Sequence, residues 1–250
     1  MKLTDLTDYL DAYLDVRSVR DAPGALNGLQ VANDGRVTKI GAAVDASEET
    51  MRLAVEQEVD FLVVHHGVLW GGPRPLTGPF YRRIAALITH NVALYGAHLP
   101  LDCHAEVGNA ALLAARLGLA VRGGFGEWQG QVVGVWGETD AGRDAFTEAL
   151  AAALGATPRL MPFGPARVRR VGVATGGGGS LIAQAHAASL DTYVTGEGAH
   201  HTYFDAEELG VNVYYGGHYR TETFGVKALA EHLSGRFSLP WVFIDHPTGL

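Results

Sequence analysis

Apolar residues recur at helical spacing from Leu3 to Leu14, which predicts an amphipathic first helix. A turn at Pro23-Gly24 then feeds a short strand within Leu26-Asn27-Gly28-Leu29-Gln30-Val31. Beyond it, short apolar runs alternate with segments of helical period. Strands are predicted at Lys39–Val44, Phe61–Val64 and Val92–Tyr95, and helices at Ser47–Glu58, Phe80–His90 and Glu106–Leu117. The pattern pauses at Gly123-Gly124-Phe125-Gly126 and resumes with strands at Gln131–Trp136, Val168–Ala174, Thr192–Thr195 and Val211–Tyr215. The helices of this second stretch are predicted at Arg143–Leu154, Leu181–Ser189, His200–Leu209 and Phe224–Leu233, and Trp241–Ile244 closes the chain as an apolar strand. Pro158–Pro165 reads as irregular. Alternation of this kind implies right-handed crossovers and largely parallel sheets.

The two stretches echo one another. An offset of 131 residues lays Ile40-Gly41-Ala42-Ala43 on Val171-Gly172-Val173-Ala174, Asp60 on Asp191 and Val63 on Val194. An offset of 120 lays Tyr95-Gly96-Ala97-His98 on Tyr215-Gly216-Gly217-His218. The spare residues of the first copy fall in the turn-rich run from Gly71 to Pro79. The fold expected is two related α/β halves with mostly parallel sheets and a metal site in the cleft between them. Residues 1–124 form the first half and 125–237 the second, with the terminal strand in 238–250 free to return to the first.

Length and composition agree with this division. The 250 residues suffice for two cores of about 125 residues each. A net charge of −8 disfavours a phosphate-backbone partner and suits cation binding. The lone Cys103 forms no internal disulfide, which points to a reducing compartment. Met1 to Asp8 alternates acidic with apolar residues and does not read as a signal peptide, and no apolar run is long enough to span a bilayer, so cytoplasm is expected and a membrane is not.

Chemistry concentrates where strands end. Asp60-Phe61-Leu62-Val63-Val64-His65-His66-Gly67 is a buried-type strand terminating in two histidines at the edge where open parallel sheets place ligands. Neighbouring strand residues point to opposite faces, so a shared site requires a turn, which Gly67 permits; turned, the imidazoles diverge and suit two metals. An ordinary polar strand end is the alternative. His98 with Asp102 and His218 with Glu222 repeat one phrase, a histidine leaving a strand and an acid four residues later. Pro100 argues against a continuous helix through the first copy. Asp102 also suits a helix N-cap, and Glu222 a helix start.

Gathered, His65, His66, His98, Asp102, His218 and Glu222 offer imidazole and carboxylate ligands. Such a set suits Zn²⁺, Mn²⁺, Fe²⁺, Co²⁺ or Ni²⁺, and the absence of thiolates argues against a closed structural zinc site. Two metals bridged by a carboxylate, here Glu222, form the usual hydrolytic centre. The run Thr175-Gly176-Gly177-Gly178-Gly179-Ser180 reads either as an anion cradle or as a tight strand-to-helix turn. It matches neither a Walker A loop nor a dinucleotide fingerprint, which weakens a nicotinamide-dependent reading. His200 and His201 suit either a supporting role at the site or a solvated helix start. Trp70 and the glycine–proline run after it suit a cleft cover or a surface loop.

Asn27-Gly28-Leu29-Gln30-Val31, Asp45-Ala46-Ser47, His65-His66-Gly67, Gly96-Ala97-His98 with Asp102, Thr195-Gly196-Glu197, and Gly217-His218 with Glu222 follow one another in an order that resembles the NIF-three-like family. Its members are known as dinuclear metal centre proteins and GTP cyclohydrolase type-two homologues. The resemblance covers nearly the whole chain. It implies two divalent metal ions held by His65, His66, Asp102, His218 and Glu222, with His98 close by, in a ring-shaped cytoplasmic homohexamer whose sites face an internal cavity. Longer members carry an inserted domain, for which this chain has no room, so the compact form is expected.

Two functions follow as expectations. The first is a metal-dependent hydrolase of a purine nucleotide or phosphoester, with His98 or His201 carrying a proton. The second is a non-catalytic hexameric adaptor, or a metal storage or sensing protein.

Overall fold

A computed structural model describes all residues, 1–250. By its internal contacts the chain divides into two compact units, residues 1–101 with 225–246 and residues 102–224 with 247–250.

The first unit opens with α1 (Leu3–Tyr13), whose buried face carries Leu3, Leu6 and Leu10 as its apolar spacing requires. It continues through β1 (Gly28–Val31), β2 (Ile40–Asp45), α2 (Glu48–Glu56), β3 (Phe61–His66), α3 (Gly78–Thr89), β4 (Ala93–Gly96) and the short α4 (Leu99–Asp102). Ser47 caps α2 by accepting a hydrogen bond from the Thr50 amide, and Glu48 and Glu49 complement the dipole in the first turn. The second unit holds α5 (Asn109–Arg116), β5 (Ala120–Trp128), β6 (Gln131–Gly142), α6 (Arg143–Leu154), β7 (Arg159–Pro162) and β8 (Arg167–Val173). A 3-10 turn (Gly178–Leu181) then leads into α7 (Ile182–Ala187), β9 (Thr192–Thr195), α8 (Thr202–Leu209), β10 (Asn212–Tyr215) and α9 (His218–Thr221). Helix α10 (Thr223–Phe237) and strand β11 (Trp241–Phe243) follow, and Gly225–His246 belongs to the first unit.

The first sheet has five strands in the order β1-β4-β3-β2-β11, parallel throughout except for β1. The terminal strand therefore pairs with β2, Trp241 opposite Ile40. At its centre β3 is buried from Phe61 to His65, the continuous apolar run of a strand covered on both faces. Each such Val or Leu contributes about 1.5–3 kcal/mol on burial, which makes the end of β3 a rigid mount.

The second sheet is mixed, in the order β5-β6-β8-β9-β10-β7. Its middle trio β8-β9-β10 is parallel and is extended on both sides by antiparallel strands. Those extensions were the part least visible in the pattern. Gly123–Gly126 lies inside β5 and so is not a linker; a Cβ on Gly124 would meet Val132 Cγ1 at 2.6 Å, so a glycine is what lets the two strands lie together. The irregular Pro158–Pro165 contains the edge strand β7, where proline is tolerated.

Duplication is legible in the sheet registers. Ile40 pairs with Phe61 and Val171 with Thr192, both members displaced by the same 131 residues. Asp60 accepts from the amides of Thr38 and Lys39 at the entry to β2, and Asp191 accepts from those of Arg169 and Arg170 in β8. The third strand departs from the sequence alignment. Val63 pairs with Tyr95 but Val194 pairs with Tyr214, an offset of 119, so His98 and His218 are one position apart in register. Pro100 also departs from expectation, since it occupies the first turn of α4, where its missing N–H has no helical partner to lose. No helix is long and apolar enough to cross a membrane.

Candidate metal centre

Strand β3 runs straight through both histidines, and the turn comes after them, at Gly67. His65 is only 1% exposed and His66 leans out on the other side of the pleat, yet their ring centroids are 4.7 Å apart. His98, just past β4, brings a third imidazole within 4.9 Å of His65 and 5.7 Å of His66. One nitrogen from each of the three falls within 4.8 Å of the other two, close enough to hold a metal ion.

Each ring has its other nitrogen held. His65 Nδ1 lies 2.9 Å from the Ala97 carbonyl, His66 Nδ1 2.8 Å from Asp45 Oδ1, and His98 Nδ1 2.6 Å from Asp21 Oδ1. A carbonyl or carboxylate only accepts, so Nδ1 carries the proton and Nε2 presents its lone pair. Asp45 is the cross-strand neighbour of His66, which fixes the pair by sheet register. Asp21 is held in turn by the Asn27 amide at 2.7 Å and the Ala22 and Leu99 backbone amides. Burial alone would raise the pKa of Asp21, but the hydrogen bond and charge of His98, with Asn27 and Ala22, hold it down at about 2.

In the second unit His218 opens α9 and Glu222 ends it. His218 Nε2 lies 3.2 Å from Glu222 Oε1 and its Nδ1 2.8 Å from Glu197 Oε1. The hydrogen bond to Glu222 outweighs burial and, with the charges of Glu222 and Glu197, raises the His218 pKa to about 9. The proton on Nε2 thus faces Glu222 Oε1. Asp102 Oδ1 accepts from Asn109 Nδ2 at 2.8 Å and from Thr175 Oγ1 at 3.5 Å.

The glycine run settles into this second group. A Cβ on Gly176, whose φ is +63°, would lie 2.1 Å from Glu222 Oε1 and 3.1 Å from His218 Nε2. The amides of Gly176, Gly178 and Gly179 are bonded to Thr221 Oγ1, Thr195 Oγ1 and the Glu197 carbonyl. An anion cradle needs those amides free, so the run serves as a close-approach turn beside His218 and Glu222. His201 precedes α8 on the exposed surface, as does His200, whose ring is edge-on to Phe204. Cys103 is half-buried and forms no disulfide.

The donors fit a divalent transition metal. Three imidazoles converge in one unit, and in the other His218 stands against the Glu222 carboxylate, so the candidate donors are nitrogen and oxygen throughout. What the spacing of ligands alone did not reveal is the layer behind them: Asp21, Asp45, Glu197, Asn109 and the close approach of Gly176. Asp45 and Glu197 sit in conspicuous short motifs, and Asp21 carries no local signal.

A statistical profile of the family described as Duf34/NIF3 (NGG1p interacting factor 3) matches residues 1–249. A Halobacterium salinarum protein called GTP cyclohydrolase 1 type 2 homolog is 46% identical over 253 residues, covering 98% of this chain and 100% of the relative. A Deinococcus radiodurans protein of the same name is 42% identical over 248 residues, covering 98% and 94%. The crystal structure of TTHA1606 from Thermus thermophilus superposes with a TM-score of 0.92 at 45% identity, with 100% of each chain covered. With ordered strand-end histidines, their carboxylate partners and full-length similarity all in agreement, this chain belongs to the Duf34/NIF3 family.

Proposed function

We propose that the protein is a metal-dependent hydrolase that holds two divalent ions with His65, His66, Asp102, His218 and Glu222. The observation that carries this reading is the uniform anchoring of four imidazoles: His65, His66, His98 and His218 each have Nδ1 against an oxygen acceptor, which leaves Nε2 to serve a metal at His65, His66 and His218 and a proton at His98. Histidines that merely packed or faced solvent would not all have Nδ1 anchored in this way. Bound there, divalent ions supply Lewis acidity and bring the pKa of a water down to about 7.

Of the two candidate proton carriers, His98 is the better placed. Ionised Asp21 holds its Nδ1–H and stabilises the imidazolium, so Nε2 takes up and delivers a proton with the ring orientation unchanged. The names of the relatives direct the substrate reading to a purine nucleotide, with a phosphoester as the broader class. A homohexamer is the assembly proposed.

The test combines metal analysis with turnover. Protein reconstituted with Mn²⁺, Zn²⁺, Fe²⁺, Co²⁺ or Ni²⁺ is assayed on GTP and on a phosphodiester, beside His65→Ala and Glu222→Ala. Two ions per chain and turnover lost in both variants are expected. Equal rates in wild type and variants exclude the hydrolase, and full metal content in both variants excludes the ligand set.

A further inference from the structure

Trp70 is the outermost of four converging rings. Exposure rises from His65 at 1% through the side chains of His98 at 15% and His66 at 25% to Trp70 at 36%. The indole centroid lies 4.8 Å from that of His98 at 74° and 6.1 Å from that of His66 at 83°, nearly perpendicular to both. It therefore stands as a wall beside the imidazoles and is stacked on neither.

The wall is fixed on both sides along the chain. Before it, the Val68 and Leu69 amides donate to Gln30 Oε1 at 2.8 and 3.1 Å, and the Leu69 carbonyl accepts from the Leu26 amide at 3.2 Å. After it, the Gly71 amide donates to the Gly24 carbonyl at 3.0 Å, and Arg74 reaches back to the Val68 carbonyl at 2.9 Å. An exposed indole on a freely moving loop would have no such tethers. Holding a large apolar ring at the mouth of a polar donor set costs hydrophobic surface, which a ligand covering it would recover.

We infer that Trp70 is a specificity residue of the histidine centre, stacking the planar heteroaromatic ring of a ligand, in the first instance a purine base. Beside the His98 and His66 rings the indole supplies a broad apolar surface. A flat ring with a polar edge satisfies both parts, with its face on the indole and its ring nitrogens or oxygens toward the donors. A cationic ligand, which an indole also attracts, is disfavoured by like charge once an ion sits at His65 and His66. The inference rests on the metal-centre reading above, and its test is a binding measurement that needs no turnover.

Metal-reconstituted wild type, Trp70→Ala and Trp70→Phe are titrated calorimetrically with GMP and with ribose 5-phosphate, and their metal content is measured. Stacking on an aromatic side chain predicts GMP binding about tenfold to hundredfold weaker in Trp70→Ala, largely restored in Trp70→Phe. Ribose 5-phosphate affinity and metal content are expected to be the same in all three. Unchanged GMP affinity in Trp70→Ala overturns the inference, as does wild type binding GMP no better than ribose 5-phosphate. Loss of metal in Trp70→Ala also overturns it, because the ring would then be packing the centre. Base-dependent binding without turnover of any substrate supports Trp70 while removing the hydrolase reading.

Discussion

His66 Nδ1 and Asp45 Oδ1 lie 2.8 Å apart because the two residues are directly paired across β3 and β2. Sheet register, which no side chain can slip without moving the strand, thus orients a proposed ligand. Asp45→Ala removes both the charge and the acceptor, and loss of such a carboxylate partner typically weakens metal affinity 10–100-fold. Asp45→Asn keeps the size and an oxygen acceptor and is expected to lose less. Metal titration of both variants checks this ordering, and equal affinity of wild type and Asp45→Ala would remove the orienting role.

Gly176→Ala tests the close approach of the glycine turn. The added methyl would sit 2.1 Å from Glu222 Oε1, so the carboxylate must swing away, and a φ of +63° adds about 1–2 kcal/mol of backbone strain. The expected result is at least about a tenfold loss of metal affinity with a modest drop in thermal stability, since the carboxylate must leave its orientation toward His218. An alanine variant that binds metal like wild type would mean that Glu222 ligates from another position.

How much of this was written locally in the chain differs by residue. Thr192–Thr195 and Arg143–Leu154 emerge with the predicted bounds because each is a regular run with a clear break at its end. His65 and His66 were legible as candidate donors because they end an apolar strand, although the strand continues through them instead of turning first. The short helices α4 and α9 have four residues each, too few for a 3.6-residue period to register. Asp21 was invisible for another reason: it meets His98 across 77 residues, and only the folded chain brings an irregular segment to that ring. The matching phrases at His98 and His218 suggested equivalent positions, yet pairing in the two sheets sets them one residue apart, because sheet pairing and not spacing from the acid decides structural equivalence.

Acid titration isolates Asp21. Its folded pKa of about 2 lies below the ordinary 3.8, so the carboxylate contributes stability that is present above the unfolded value and is lost as pH falls through the folded one. The contribution is about 2 kcal/mol. In chelator, urea unfolding of wild type and Asp21→Asn should show a stability gap that is present at pH 5 and shrinks between pH 4 and pH 2. A gap that persists undiminished at pH 2 would show that Asp21 stabilises by size and hydrogen bonding alone.

Metal removal supplies the last prediction. An ion that binds only the folded chain stabilises it by about 2.7 kcal/mol when its free concentration is 100 times Kd, and for a chain of this length that corresponds to a rise in Tm of about 5–10 °C. Adding Mn²⁺ or Zn²⁺ to chelated wild type should raise Tm by this amount, and returning chelator should reverse it. Glu222→Gln removes the charge that pairs with the His218 proton while preserving shape, so its metal-free Tm should fall modestly and its response to metal should largely vanish. The metal-induced rise separates ligation from packing, because a purely structural role for Glu222 would leave that rise intact in Glu222→Gln.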